Sequence, residues 1–150
     1  MTIDKNGIDL LVQVEGLKTN AYKDTKGVWT IGIGSTYYEN GEKVKEGDSL
    51  TKEKCYHLFE LTKSKYEKPI NDNIKAPLTH NQFNALFLFC YNIGATGFKN
   101  STVVRLINSG GSRKDIENAF MMWKGKTKNK SGKFVLESRR QIEINEYFKL

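Results

Sequence analysis

Apolar positions along this chain repeat with two different periods. Ile8, Leu11 and Val12 recur at helical spacing and predict a short first helix over about residues 5–16. Between Thr19 and Tyr38 the period changes. Asp24-Thr25-Lys26-Gly27 has Asp and Gly at the first and fourth positions that a type I turn favours. Residues 28–35 then alternate, with Trp29, Ile31 and Ile33 on one side and Thr30, Gly32 and Gly34 on the other. That pattern predicts a strand with one bulky face and one nearly bare face. Asn40-Gly41 and Glu46-Gly47-Asp48 mark further turns.

Helical signals dominate after Thr51, which has the residue type and position of an N-cap. Leu58, Leu61 and Tyr66 predict one long helix, with Pro69 and Pro77 bracketing its end and the next connection. Thr79-His80-Asn81-Gln82 is a capping box, and Phe83, Leu86, Phe87, Cys90 and Tyr91 follow as an apolar helix that stops near Gly94. Ser101 caps a helix carrying Val103, Val104 and Ile107, ended by Gly110-Gly111. Ser112-Arg113-Lys114-Asp115 opens another through Ile116, Ala119, Phe120 and Trp123, and a last helix spans about residues 136–147. The class is α+β: one domain over residues 1–150, with a small helix-plus-hairpin lobe over about 1–50 and a larger helical lobe over about 51–150. A cleft between two such lobes is a natural binding site.

Charge is unevenly placed. Residues 1–98 carry 12 Lys and Arg against 12 Asp and Glu; residues 99–150 carry 12 against 5, which accounts for the whole net charge of +7. Lys124, Lys126, Lys128, Lys130 and Lys133 follow one another with no intervening acid. Read as a solvated, mobile loop, this stretch is suited to attract polyanions such as nucleic acid, anionic lipid or envelope polymers. The longest apolar run, residues 85–91, is too short to span a membrane. The first residues, Met1-Thr2-Ile3-Asp4-Lys5-Asn6-Gly7, lack the apolar core of a signal peptide, so the expected site of synthesis and folding is the cytoplasm. Cys55 and Cys90 read as free, partly buried thiols. His57 and His80 read as helix-surface or cap-region residues, and no ligand-spaced set around them suggests a metal.

Glu15 is the most informative single residue, because positions 8, 11, 12 and 15 continue one apolar stripe. A carboxyl group there is expected to be partly desolvated, with a raised pKa, as a general acid requires near neutral pH. The alternative is a structural carboxylate bonded to the hairpin. Asp24 stands at the start of the turn, where Asp is also the ordinary turn former. Thr30 lies on the bare strand face, where Gly32 and Gly34 suggest a groove close to the backbone and the hydroxyl a hold on water; Thr is equally an ordinary strand former.

Glu15-Gly16-Leu17, followed by Ala21-Tyr22-Lys23-Asp24-Thr25-Lys26-Gly27-Val28-Trp29-Thr30-Ile31-Gly32-Ile33-Gly34, resembles the catalytic signature of phage-type lysozymes, glycoside hydrolase family 24. The resemblance continues through Gly47-Asp48-Ser49-Leu50-Thr51, Leu78-Thr79-His80-Asn81-Gln82-Phe83, Tyr91-Asn92-Ile93-Gly94, Phe98-Lys99-Asn100-Ser101 and Glu137-Ser138-Arg139-Arg140, nearly the whole chain. It implies a lysozyme-like fold and cleavage of the β-1,4 bond between N-acetylmuramic acid and N-acetylglucosamine in peptidoglycan. It implies Glu15 as proton donor, with Asp24 and Thr30 handling the attacking water and the positive charge on the sugar. Two carboxyl groups with water between them imply inversion. Tyr91 and Asn92 align with cleft residues that suit a sugar ring and an N-acetyl group, although Tyr91 suits core packing nearly as well. Ser35 departs from the pattern, since many members have His there, which puts a contact from that His to the catalytic Glu in doubt.

The expected protein is a monomer that needs no cofactor, binds no specific nucleic acid and does not insert in membranes, and the resemblance implies release to the wall by a separate phage-encoded pore, the holin. Met121, Met122 and Trp123 are expected to pack in the core or between lobes. A lytic transglycosylase would use a single Glu and no water, which Asp24 and Thr30 argue against. A basic binding module is motivated by the lysine stretch, which lacks interleaved aromatics for base stacking. An inactive relative would not be expected to keep the Glu-Asp-Thr trio.

Overall fold

Residues 1–150 are all described by the computed structural model. Helix α1 (Lys5–Glu15) leads into strands β1 (Lys18–Lys23) and β2 (Trp29–Gly32), and seven helices follow: α2 (Lys52–Thr62), α3 (Ser64–Asn73), α4 (His80–Ile93), α5 (Ala95–Lys99), α6 (Thr102–Ser109), α7 (Arg113–Met121) and α8 (Glu137–Tyr147). The expected α+β class is borne out. Two compact units divide the chain, one of residues 8–64 and one of residues 1–7 with 65–150. The smaller unit thus includes α2, which a boundary at residue 50 leaves out.

Burial explains why α2 belongs with the hairpin. Ile31, Val44 and Leu58 form a buried cluster, with Ala21, Trp29, Tyr38 and Leu50 packed against it. The strands pair antiparallel with Tyr22 opposite Thr30 and Lys23 opposite Trp29, and a bulge lies between Lys18 and Tyr22. Strand β2 is shorter than its alternation predicts. At Gly32 and Gly34 the backbone turns to φ +65° and +71°, and Ile31 and Ser35 exchange backbone hydrogen bonds of 2.8 and 2.9 Å. The two glycines therefore form a tight turn, which L side chains resist, and do not continue a strand face. Farther along, Tyr38 donates to Asp48 Oδ2 at 2.7 Å and pins the long return to α2. Burial, then the Asp48 carboxylate, pushes the Tyr38 phenol up to about 12.

The long helix expected after Thr51 is two helices. Thr51 caps α2 through Lys54, as expected, but α2 ends at Thr62. Pro69, read as a terminator, lies inside α3. Its missing N–H costs one bond within a ten-residue helix, and Asn73 Nδ2 donates to its carbonyl at 2.7 Å. Leu61, expected on the apolar face, is 47% exposed.

The larger unit is organised around α4, whose residues from Phe83 through Cys90 are all buried. A helix apolar on every side must be surrounded, and it is: Phe89 meets Phe98, Phe120 and Trp123 at ring distances of 6.3, 5.0 and 6.1 Å. The Thr79 capping box forms in full, and Ser101 and Ser112 cap α6 and α7 as expected. Cys55 and Cys90 are free and buried. Met122 departs from the expected packing role, being 67% exposed, whereas Trp123 packs on Phe89. The lysine stretch is not an unstructured loop. Lys128 bridges Phe134, Asn129 N–H donates to Lys133 at 2.8 Å, and Val135 N–H donates to Thr127 at 3.0 Å. Asn129 Oδ1 gathers Ser131 and Lys133 N–H groups to close the tip. Phe134, directly after the stretch, has its ring centre 4.3 Å from Lys124 Nζ and 5.2 Å from Lys128 Nζ.

Candidate active site

The smaller unit gathers the three residues of the trio around one hairpin. Glu15 is the last residue of α1 and is half-buried. Gly16, at φ +79°, donates its N–H to Val12 at 2.7 Å and turns the chain out of the helix directly after the carboxyl group. Asp24 heads the hairpin turn. Its Oδ1 accepts the backbone N–H groups of Lys26 at 2.8 Å and Val28 at 2.9 Å. Its N–H and carbonyl close the turn with Val28 and Gly27, both at 3.0 Å. Oδ1 takes both side-chain bonds, so the carboxylate is fixed while Oδ2 stays open to a ligand or water.

Thr30 is only 3% exposed. Its hydroxyl donates to the Val28 carbonyl at 2.9 Å, which commits its one proton and leaves its lone pairs as acceptors. Tyr22 stands opposite Thr30 in the ladder. Its phenol is pushed above its ordinary value of 10.0, first by burial and then by the charges of Glu15 and Asp24. Both carboxyl groups therefore act on the same phenol, and the strand partner of that tyrosine is the third member of the trio. Tyr22 was not singled out in the sequence; its place in the register, two residues before Asp24, is what brings it in.

The other predicted residues are less alike. Gly32 is buried, and a side chain there would meet Cys55 of α2 at 3.7 Å, so the open groove read from the glycines is absent at this position. Ser35 is buried, with its backbone engaged by Ile31. In the larger unit, Tyr91 is half-buried, stacked on Phe87 at 5.8 Å and edge-on to Tyr66 at 4.6 Å. Asn92 is exposed, and its Oδ1 accepts from Arg140 Nη2 at 2.6 Å. His57 and His80 are exposed on helices.

The family model for phage lysozyme matches residues 12–143, a span that holds the whole trio. This chain belongs to the phage lysozyme family. The endolysin of Salmonella phage P22 is 36% identical to this chain over 124 residues, 83% of this chain and 84% of that one. The SAR-endolysin of Pseudomonas phage phiKMV is 37% identical over 139 residues, 91% of this chain and 82% of that one. Among solved structures, an endolysin from Escherichia coli O157:H7 phage FAHEc1 matches with a TM-score of 0.88 at 32% identity, covering 99% of this chain and 94% of that one. The muramidase domain of SpmX from Asticaccaulis excentricus matches with a TM-score of 0.83 at 29% identity, covering 99% of each chain. The lysozyme-like fold expected from the sequence is thereby borne out.

Proposed function

We propose that this chain is a muramidase of host-cell lysis that hydrolyses the β-1,4 bond between N-acetylmuramic acid and N-acetylglucosamine in bacterial peptidoglycan. The observation that carries the reading is the placement of Glu15 at the end of α1, Asp24 at the head of the hairpin turn and Thr30 buried on β2 opposite Tyr22, within a family of lysozymes. Glu15 protonates the departing glycosidic oxygen. Asp24, held by two backbone N–H groups, offers negative charge to the oxocarbenium-like sugar and takes a proton from the attacking water. Thr30 accepts a hydrogen bond from that water and leaves the water's own lone pair free to attack. The product expected from a water held between two carboxyl groups is the inverted anomer with a free reducing end. Product analysis of digested cell walls tests this. An anhydro end would mean transglycosylation and would contradict the reading.

Asn92 donates to the substrate's N-acetyl carbonyl, and Tyr91 supports the sugar face from its aromatic cluster. Gly32 contributes backbone geometry beside Thr30. The proposed catalytic residues come from one chain, so a monomer suffices. No helix is long and apolar enough to cross a membrane. The enzyme accumulates in the producing cell and reaches the wall through a separate pore of the holin type. The relatives include both endolysins and SAR-endolysins, so expression of this chain alone is the informative test. The cells should stay intact until chloroform opens the membrane, whereas prompt lysis would point to export without a pore.

A further inference from the structure

The larger unit contains a charge pair that folding alone does not explain. Arg140 and Glu143 of α8 are both fully buried, and Arg140 is the largest of the fully buried side chains. Arg140 Nε lies 3.0 Å from Glu143 Oε1, and its Nη2 donates to Glu143 Oε2 at 3.2 Å. The guanidinium carbon sits 5.2 Å over the Phe89 ring. Arg139 supports Glu143 from the half-buried side, donating Nε to Oε2 at 3.2 Å and Nη2 to the Leu88 carbonyl at 2.9 Å.

Burying two charges is repaid only when the geometry is excellent and the remaining donors are satisfied. Here Arg140 Nη1 has no hydrogen-bond partner, and Nε meets Glu143 Oε1 at 3.0 Å without hydrogen-bond alignment. Burial lowers the Arg140 pKa to about 10, with Glu143 opposing the shift and Arg139 adding to it. The group is still charged at neutral pH. An apolar pair of similar volume would pack α8 on α4 at least as well.

What an apolar pair would not do is reach Asn92. An asparagine amide is ambiguous, because it can present either its carbonyl or its NH2 group to solvent. Arginine has only donors, so the group facing Arg140 must be the Asn92 carbonyl, at 2.6 Å. The Nδ2 group is then left as the outward donor of an exposed residue one position from the end of α4. We infer that Arg140, braced by Glu143, is a positioning residue that fixes Asn92 as a hydrogen-bond donor for the N-acetyl carbonyl of the glycan. The inference rests on the proposed role of Asn92 and adds the pair that enforces it.

The test compares wild type with Asn92→Ala, the double variant Arg140→Met with Glu143→Leu, and all three changes together. Each is measured for thermal midpoint and for kcat and KM on soluble glycan strands, N-acetylated and de-N-acetylated. One neutral hydrogen bond corresponds to about fivefold in KM. The double variant should keep or raise the thermal midpoint. It should raise KM about fivefold on N-acetylated strands with kcat little changed, and lose preference for them. Asn92→Ala should do the same to KM and preference, and the triple variant should add no further loss. An unchanged KM in Asn92→Ala would overturn the substrate role of Asn92 and the inference with it. A loss in Asn92→Ala but not in the double variant would overturn the positioning role alone. So would a fall in kcat equal on both glycans, which marks a purely structural pair. Should the double variant not fold, Arg140→Gln with Glu143→Gln keeps a hydrogen-bonded pair of similar size that can present either polarity to Asn92. Wild-type KM and preference in that pair variant would contradict the inference.

Discussion

Substitution of Thr30 separates chemistry from stability at one position. Thr30 is buried and spends its hydroxyl proton on the Val28 carbonyl. Thr30→Ser keeps that bond and removes one buried methyl, a loss of about 0.8–1 kcal/mol. Thr30→Val keeps the shape and removes the bond, a net loss of about 0.5–1.5 kcal/mol. The two variants should therefore be destabilised alike, each lowering the thermal midpoint by about 2–4 °C for a domain of this size. Their activities should differ widely. Serine retains the acceptor lone pairs for the attacking water and should keep a substantial fraction of wild-type activity. Valine retains none, and loss of a positioned proton-transfer network costs about 100-fold or more. The assay is turbidity loss of purified cell walls at 25 °C, normalised to folded protein by circular dichroism. Equal activity of the two variants would refute the claim that the hydroxyl positions water.

Three further outcomes follow from the structure. Asp24→Asn should still accept the Lys26 and Val28 N–H groups through Oδ1 and keep the turn, yet lose most wall hydrolysis, because the negative charge is gone; a folded, active Asn variant in the same turbidity assay would contradict this. Replacing Lys126, Lys130 and Lys133 with Gln, and sparing the ring-packed Lys124 and Lys128, should slow clearing of whole walls at low salt with little effect on a short neutral chito-oligosaccharide; equal losses on both would mean direct sugar contact. Asp4 accepts the Gly7 N–H at 3.0 Å and the Asn84 amide at 2.8 Å, so Asp4→Ala should cost about 1–2 kcal/mol in denaturant titration. Burial pushes the Asp4 carboxyl up, but the Gly7, Asn84 and Asn6 hydrogen bonds and the nearby His80 together hold it below its ordinary 3.8. With the folded pKa depressed, this contribution is present above about pH 4 and is lost as pH falls through the folded value, so wild type and Asp4→Ala should converge in stability in acid.

Much of this architecture is local, and local features could be read in advance. Thr51, Thr79, Ser101 and Ser112 each cap the helix that their position suggested, because a cap needs only a side-chain oxygen three residues before a free N–H. Departures from the sequence pattern have a different cause. Alternation through Gly32 and Gly34 assumed an extended backbone, and positive φ at both ended the strand early. Pro69 suggests a stop by its residue type, yet a helix can absorb one missing bond. The spacing of Glu15, Asp24 and Thr30 was legible, but the tyrosine between them becomes visible only once the register sets Tyr22 opposite Thr30. Arg140 and Glu143 have the spacing of a solvent-exposed helix pair, and only tertiary packing buries them.

The central claim is that the carboxyl group of Glu15 delivers the proton that breaks the glycosidic bond. Glu15→Gln removes that proton while preserving shape at a half-buried helix end. Wild type and variant are compared for turbidity loss of purified cell walls, with the thermal midpoint measured on the same samples. The expected result is no measurable clearing by a variant whose thermal midpoint equals or exceeds that of wild type. Substantial clearing by folded Glu15→Gln protein would contradict the assignment of Glu15 as the acid.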